Sequence, residues 1–343
     1  MRLYRTQRYS ILITAIALLA VASFPLFGQS KVGTTIGQFL KIEPGGRNAA
    51  MGNASASLWG EAISAFYNPA SLGRLPNKQV QFTHSEWLAD INYNYLIVGL
   101  PISKLGSFMV HAISLNSGEI DVRTVEQPLG TGERYSVTNF ALGVGYGLMM
   151  TNRVSVGAQV NYFRETIWHS SADGFALNLG VQYQFYENGP ILGASLQNFG
   201  PRTGFNGRDF YVDYDFDPDK YGDNDQIPAE LRAGDFPLPT SFRVGVAYPL
   251  QFNENNAIIL AVDALHPNDN SESLRLGAEW QLLKTLYLRG GYRDLLLEDL
   301  EGGLTLGAGL VFGVSDYKFA LDYAWADYGR LENAQRFTLG FRF

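Results

Sequence analysis

Cysteine is absent from all 343 residues, which excludes disulfides, thiolate metal sites and a lipid-modified N-terminal Cys. Histidine is scarce, at four residues: His84, His111, His169 and His266. His84 and His111 are expected on neighbouring stretches of wall, where they could face each other, and the plainer reading is isolated polar residues on strands. No serine-centred elbow and no clustered His/Asp/Glu set occurs, so no nucleophile with its base and no metal site can be assembled. The expectation is a protein without enzymatic activity, cofactor or metal. Basic charge is also short: 26 Lys and Arg against 33 Asp and Glu leave a net charge of -7, which argues against a nucleic-acid partner. Beyond the N-terminus there is no run of about 20 apolar residues, so helices that span a membrane are not expected.

What is present is alternation. Apolar residues make up 46 % of the chain, yet mean hydropathy is near zero. Strands that are apolar on one face and polar on the other produce this balance. The final stretch is the clearest case: Phe337, Leu339, Phe341 and Phe343 form one face, and Arg336, Thr338, Gly340 and Arg342 the other. Successive strand residues point to opposite sides, so such a strand fits a wall with lipid outside and a polar lumen inside. Tyr317, Phe319, Leu321, Tyr323 and Trp325 alternate with Lys318, Ala320, Asp322 and Ala324 in the same way.

The pattern predicts fourteen strands, at about 79–88, 92–101, 106–115, 135–148, 154–166, 173–185, 191–199, 241–249, 256–264, 273–282, 286–293, 303–312, 317–327 and 335–343. The fold class is all-β, a closed antiparallel transmembrane β-barrel with an N-terminal hatch. If the N-terminus is periplasmic, the inward connections are all short and the outward ones mostly long, the asymmetry of outer-membrane barrels; 89–91 is the exception. Trp87, Tyr93, Tyr95, Trp168, Tyr248, Trp280, Tyr287 and Trp325 lie near strand ends and are expected in interfacial girdles. Strand glycines such as Gly143, Gly145 and Gly277 are expected on the lumen side, where they relieve curvature or make room for a plug.

Three domains are expected: a signal peptide over 1–28, a hatch over 29–76 and the barrel over 77–343. Arg2, Arg5 and Arg8 precede the apolar run Ile11 to Ala22, the signature of an export signal. Cleavage could follow Ala20-Val21-Ala22 or fall at Gly28-Gln29, and a retained anchor is the alternative reading. The expected location is therefore the outer membrane, in contact with lipid.

Residues 33–75 are rich in small side chains, with weak periodicity. They suit a lumen-filling hatch or a loose periplasmic extension. The stretches Gln38-Phe39-Leu40-Lys41-Ile42, Gly45-Gly46-Arg47-Asn48-Ala49-Ala50-Met51-Gly52 and Tyr67-Asn68-Pro69-Ala70-Ser71-Leu72 are similar to the N-terminal signature of the PorV/PorQ family, part of the wider FadL-like group. Asn68-Pro69-Ala70 resembles the step in the hatch of FadL-like transporters. Downstream, His84, Trp87, Ala89-Asp90, Gly118-Glu119 and Gly130-Thr131-Gly132-Glu133 resemble the same family. The resemblance covers essentially the mature chain. It implies a fourteen-stranded barrel with a hatch and a part in type IX secretion, docking or shuttling exported proteins, with secretion-system proteins and cargo as partners. The wider group implies instead a transporter of hydrophobic small molecules, for which Leu295, Leu296, Leu297 and Leu300 could form an apolar rim.

The loop 200–240 carries Tyr211, Asp213, Tyr214, Asp215, Phe216, Asp217, Asp219, Tyr221, Asp223 and Asp225. Its alternating carboxylates resemble a calcium loop, but Pro218 and Asn224 break the EF-hand pattern. A solvated acidic loop whose aromatics contact a protein partner is the expectation. Inward charges fall on the later strands: Asp263, Arg275, Glu279, Arg289, Arg293, Lys318 and Asp322. They are expected to form either a structural network between wall and hatch or a polar conduit.

Overall fold

The computed structural model describes residues 31–217, 219–220, 222, 226–297 and 300–343. The expected signal peptide and both cleavage sites lie outside the described residues, as do Pro218, Tyr221, Asp223, Asn224 and Asp225.

Seven long strands precede the large loop: β1 (Gln79–Glu86), β2 (Asn92–Pro101), β3 (Ser107–Asp121), β4 (Arg134–Met149), β5 (Val154–Ile167), β6 (Ser170–Gln184) and β7 (Ile191–Phe199). Three short strands lie within the loop, β8 (Asn206–Gly207), β9 (Tyr211–Tyr214) and β10 (Ile227–Glu230). Seven more follow: β11 (Ser241–Asn253), β12 (Asn256–Pro267), β13 (Ser273–Leu282), β14 (Leu286–Leu295), β15 (Leu304–Val314), β16 (Tyr317–Asp327) and β17 (Asn333–Arg342). Each long strand pairs antiparallel with its sequence neighbour, β7 pairs with β11 across the loop, and β1 pairs with β17 from Gln79↔Arg342 to Glu86↔Gln335. Fourteen strands thus close a barrel that has no free edge, as a sheet surrounded by hydrocarbon requires. Among the described residues, no helix is long and apolar enough to cross a membrane.

The wall is turned as the alternation predicts. Phe337 and Leu339 are exposed, while Arg336 and Thr338 between them are buried. Phe82, Leu96, Val110, Leu142, Leu276 and Leu321 belong to the same exposed apolar belt. The inner faces are buried because a chain segment fills the lumen. From Ile36 to Leu72 nearly every residue is buried, including the helix α1 (Gly46–Ala50) and 3-10 turns at Gln38–Lys41, Ala62–Phe66 and Pro69–Arg74. This is the plug.

Short turns (102–106, 150–153, 185–190, 254–255, 283–285, 315–316) gather at one end of the barrel and the long connections at the other. The plug begins at the long-loop end. Ile36 N donates to Pro237 O at 3.1 Å, and Thr35 Oγ1 to Asp269 Oδ2 at 2.8 Å, both acceptors lying among the long loops. The plug then crosses the lumen and reaches the short-turn end at Leu72 and Gly73, beside Gly147 and Leu148, just before β1 begins. β1 still runs from the short-turn end outward, so the loop asymmetry survives.

Several strands extend past their expected ends, β3 furthest of all. β3 and β4 continue to the pairs Glu119↔Ser136 and Asp121↔Arg134, with Arg134 ion-paired to Glu119 at 2.7 Å and to Asp121 at 3.2 Å. The connection between β5 and β6 shrinks to residues 168–169, a second short link at the long-loop end.

Candidate functional site: the plug and the long-loop mouth

The plug is held by chemistry legible in its sequence. Gly45 adopts φ 91°, a left-handed conformation that glycine reaches without strain, and starts helix α1. Gly46 N donates to Thr338 Oγ1 at 2.8 Å, and Gly52 N to Thr305 Oγ1 at 3.0 Å. Met51 packs on Gly277, where a Cβ would overlap its backbone. Asn68 Oδ1 caps the next turn, accepting from Ala70 N at 3.0 Å, with Pro69 in the first position, where its missing N–H costs nothing. The Asn68 amide also donates to Ala56 O at 2.7 Å and to Val181 O on the wall at 3.2 Å. Side chains at Gly157 and Gly180 would collide with Pro69 and Asn68. Lumen glycines therefore mark where plug backbone lies against the wall.

The lumen divides into two sectors. Over β11–β17 it is ionic. Arg47 in the plug donates to Glu279 through Nε and Nη2, both at 2.8 Å; Arg289 Nε donates to Glu279 at 2.7 Å and its Nη1 to Asp322 at 2.6 Å. Glu61 of the plug lies 3.7 Å from Arg47 and 3.0 Å from Arg342. A second set gathers on Glu43, which is ion-paired with Arg243 and Arg275; Arg275 also reaches Asp294 at 3.2 Å. Asp263 accepts from Ser55 N at 2.7 Å and Ala56 N at 2.8 Å. Arg293 lies 3.5 Å from the Tyr328 ring centroid and 3.7 Å from Asp294. Six of the seven charges expected in the lumen are thus placed there. Lys318 is not: it has inward parity, but it is the second residue of β16, next to the turn, and it stays exposed although its register partner Arg342 pairs with Glu61 of the plug. Glu43, Glu61 and Arg243 were missed. Arg243 was detectable, since it alternates with Phe242 and Val244, whereas Glu43 and Glu61 lie in aperiodic chain.

Over β2–β6 the lumen holds a large apolar cluster. Tyr93, Tyr95, Ile97, Met109, Ile113, Leu115 and Phe163 face Phe39, Leu40, Phe66, Tyr67 and Leu72 of the plug. This corrects the girdle assignment of Tyr93 and Tyr95, which are fully buried inside. In β2 the tyrosines alternate with Asn92 and Asn94, and the aromatic row is the one that packs on the plug. His84 and His111 are also separated. His84 has the parity of the exposed Phe82 and meets Asn94 at 2.8 Å, whereas His111 is buried between Asn161 at 2.9 Å and Gln159 at 2.8 Å, stacked on Tyr95.

Two cavities at the long-loop mouth border the plug. One, of about 240 Å³, lies over the apolar sector and is lined by the apolar Ile36, Val137, Ile167, Phe205 and Phe236 and by the polar Thr35, Gln38, Asn139 and Glu165. The other, of about 170 Å³, lies over the ionic sector among Leu40, Glu43, Phe66, Arg243, Arg275 and Leu297. Leu297 therefore borders a cavity, and Leu296 lies over a separate apolar groove on the outer wall with Phe242 and Leu274. The strap 35–41 runs past both mouth cavities. Asp269 fastens it, accepting from Thr35 at 2.8 Å, Gln38 at 2.6 Å and Lys41 at 2.9 Å, and Glu165 accepts from Gly37 N at 3.0 Å. Burial opposes the charge on Asp269, but the hydrogen bonds from Gln38 and Lys41 and the Lys41 charge outweigh it, holding the carboxyl below its usual range.

In the large loop, β9 and β10 form a hairpin, Tyr211↔Glu230 to Tyr214↔Ile227. Tyr211, Tyr214 and Phe216 are exposed, as are Asp213 and Asp217, with Asp215 half-buried. Among the described residues no group of three or more His, Cys, Asp or Glu is placed to hold a metal ion.

The closed fourteen-stranded barrel crossed by an N-terminal plug is a fold shared with solved bacterial transporters. The fold is similar to that of the Pseudomonas putida toluene transporter TodX, with a TM-score of 0.54, 15 % identity, and coverage of 88 % of this chain and 97 % of that one. It is likewise similar to the Ralstonia pickettii toluene transporter TbuX (0.53, 13 %, 89 % and 100 %) and to a Pseudomonas aeruginosa FadL homologue (0.51, 12 %, 88 % and 97 %). No protein-family model and no curated protein matches the sequence.

Proposed function

We propose that this protein is a plugged outer-membrane channel that admits small hydrophobic molecules at its long-loop mouth. The observation that carries the reading is the 240 Å³ cavity set over the apolar sector, with Ile36 and Ile167 at its rim and Phe39 and Phe163 beneath. A cavity of about 150 Å³ lined by Leu, Ile and Phe is enough to hold benzene. The fold likeness to proteins described as toluene transporters agrees with this reading. In this scheme residues 1–28 export the chain and are removed, 29–76 act as hatch and 77–343 as barrel, and no enzymatic step is involved. The test is uptake of labelled toluene by cells that display the protein in their outer membrane. Val137→Trp fills the mouth from the wall and should cut uptake several-fold while the barrel stays folded; unchanged uptake in the variant rejects this route.

A second reading rests on the PorV/PorQ resemblance and on the β9–β10 hairpin, whose Tyr211, Tyr214 and Phe216 form an exposed aromatic edge beside acidic side chains. Exposed aromatics at this density suit a protein contact. In this reading the barrel docks exported proteins or type IX secretion components at the outer face. Pull-down from outer membranes, repeated with those three aromatics changed to Ala, tests it: partners lost in the variant support docking, and recovery of none from the wild type rejects it.

A further inference from the structure

Seven acidic side chains are buried among the described residues: Glu43, Glu61, Glu165, Asp263, Asp269, Glu279 and Asp322. Six of them are ion-paired to an arginine or lysine, and Glu165 is not. Arg164, its neighbour in sequence, has the opposite parity, is exposed and bonds Ser171 at 3.1 Å. Glu165 Oε2 accepts from Gly37 N at 3.0 Å, which orients the carboxylate. Its Oε1 has no partner among the described residues and, in contrast to Asn139 Oδ1, is not sealed inside the protein. Glu165 is the one carboxylate lining the 240 Å³ mouth cavity.

The rest of that lining limits what can meet this charge. Thr35 and Gln38 donate to Asp269 at 2.8 and 2.6 Å, away from Glu165. Asn139, the cross-strand partner of Glu165, carries no charge. The remaining walls are carbon, and two of the side chains, Phe205 and Phe236, are aromatic. A buried charge without a counter-charge is unfavourable, and a matched opposite charge offsets that cost. Aromatic rings add to the attraction for a cation. A metal ion is poorly served, because such ions take several oxygen ligands and most of this lining offers none. The cavity also exceeds the about 150 Å³ that holds a benzene ring, which leaves room for a substituent.

We infer that the mouth cavity binds small organic cations with an apolar body, primary amines in their ammonium form, and that the Glu165 carboxylate is their counter-charge. The inference rests on the channel reading and deepens it by naming the ligand class. The ammonium donates to Glu165 Oε1, and the carbon body lies among Val137, Ile167, Phe205 and Phe236. A neutral hydrocarbon fills the same space but leaves the carboxylate unpaired.

The experiment compares three probes built on one ring: toluene, benzyl alcohol and benzylamine, the last protonated at neutral pH. Binding to the purified full-length barrel in a non-ionic detergent is measured by equilibrium dialysis, with protein-free micelles subtracted. Benzylamine should bind about tenfold or more tighter than benzyl alcohol, the worth of one hydrogen bond between charged groups. Glu165→Gln keeps an acceptor for Gly37 N but removes the charge, and should bring benzylamine down to the level of the alcohol. Val137→Trp, which fills the cavity and keeps the carboxylate, should remove the preference as well. If amine and alcohol bind alike to the wild type, or if the preference survives in either variant, the inference is overturned while the channel reading stands on toluene binding. If no probe binds above the micelle background, the channel reading falls with it. The wild-type comparison needs no variant, so a folding failure of Glu165→Gln does not shield the inference.

Discussion

Arg47 and Glu279 form a two-pronged ion pair across the boundary between plug and wall, with both contacts at 2.8 Å and both side chains no more than 10 % exposed. The pair is extended by Arg289 and Asp322, so the wall meets the plug with charges already matched. Removing one member of a buried pair costs about 3–5 kcal/mol, mainly because the other charge is left uncompensated. Arg47→Met should therefore destabilise the protein by about that amount, and Arg47→Met with Glu279→Leu by less than the sum of the two single changes. Denaturant titration in micelles, followed by tryptophan fluorescence, measures both. Additive losses would mean that the two side chains act independently.

The contact of Gly157 and Gly180 with Asn68-Pro69-Ala70 predicts a different failure. Gly180→Val places carbon where the Asn68 amide lies and forces this part of the plug off the wall. Overpacking of this kind costs about 1–3 kcal/mol. The barrel strands should persist, because their ladders do not involve the plug. Protease cleavage within 60–75 should accelerate while far-UV circular dichroism stays β-rich.

The Asp269 clasp makes the strap sensitive to pH. Its carboxyl is depressed in the folded protein, so its contribution is fully present above the ordinary value of 3.8 and is lost as pH falls through the lower folded value. Amide exchange at Ile36 and Gly37, corrected for intrinsic rates, should show protection at pH 6 that fades below pH 4. Asp269→Asn should reduce the protection at pH 6 already. Equal protection at both pH values in the wild type would show that the clasp does not depend on the carboxylate.

The hairpin β9–β10 forms its own two-stranded sheet, separate from the barrel. Replacing 211–230 by a short Gly-Ser link should leave the thermal transition of the barrel within a few degrees of the wild type, since loops tolerate changes of length at little entropic cost. A large drop would mean that the hairpin braces the mouth.

The barrel was readable because its strands repeat every second residue. In Arg336 to Phe343 each side chain declares its face, and fourteen such segments leave only closure unstated. The same signal misled at Tyr93 and Tyr95, where Asn92 and Asn94 alternate with the two tyrosines and it is the aromatic row that turns inward, onto the plug. It failed at Lys318 for another reason: parity points a residue inward but does not say whether a side chain next to the turn is covered. For Asn139 the alternation placed the side chain on the lumen face, but its lack of a partner depends on what 33–41 and the large loop bring beside it.

By itself the sequence determined the wall: strand number, the face turned to lipid, the glycines that admit a plug, and local chemistry such as the Asn68 cap. These follow from interactions between residues close in sequence or two apart along a strand. Only the tertiary structure decided that the plug starts at the long-loop mouth, which charges pair across more than 200 residues, and that the lumen is ionic on one side and apolar on the other. Those outcomes depend on how an aperiodic segment threads a closed cylinder, and no local pattern encodes that path.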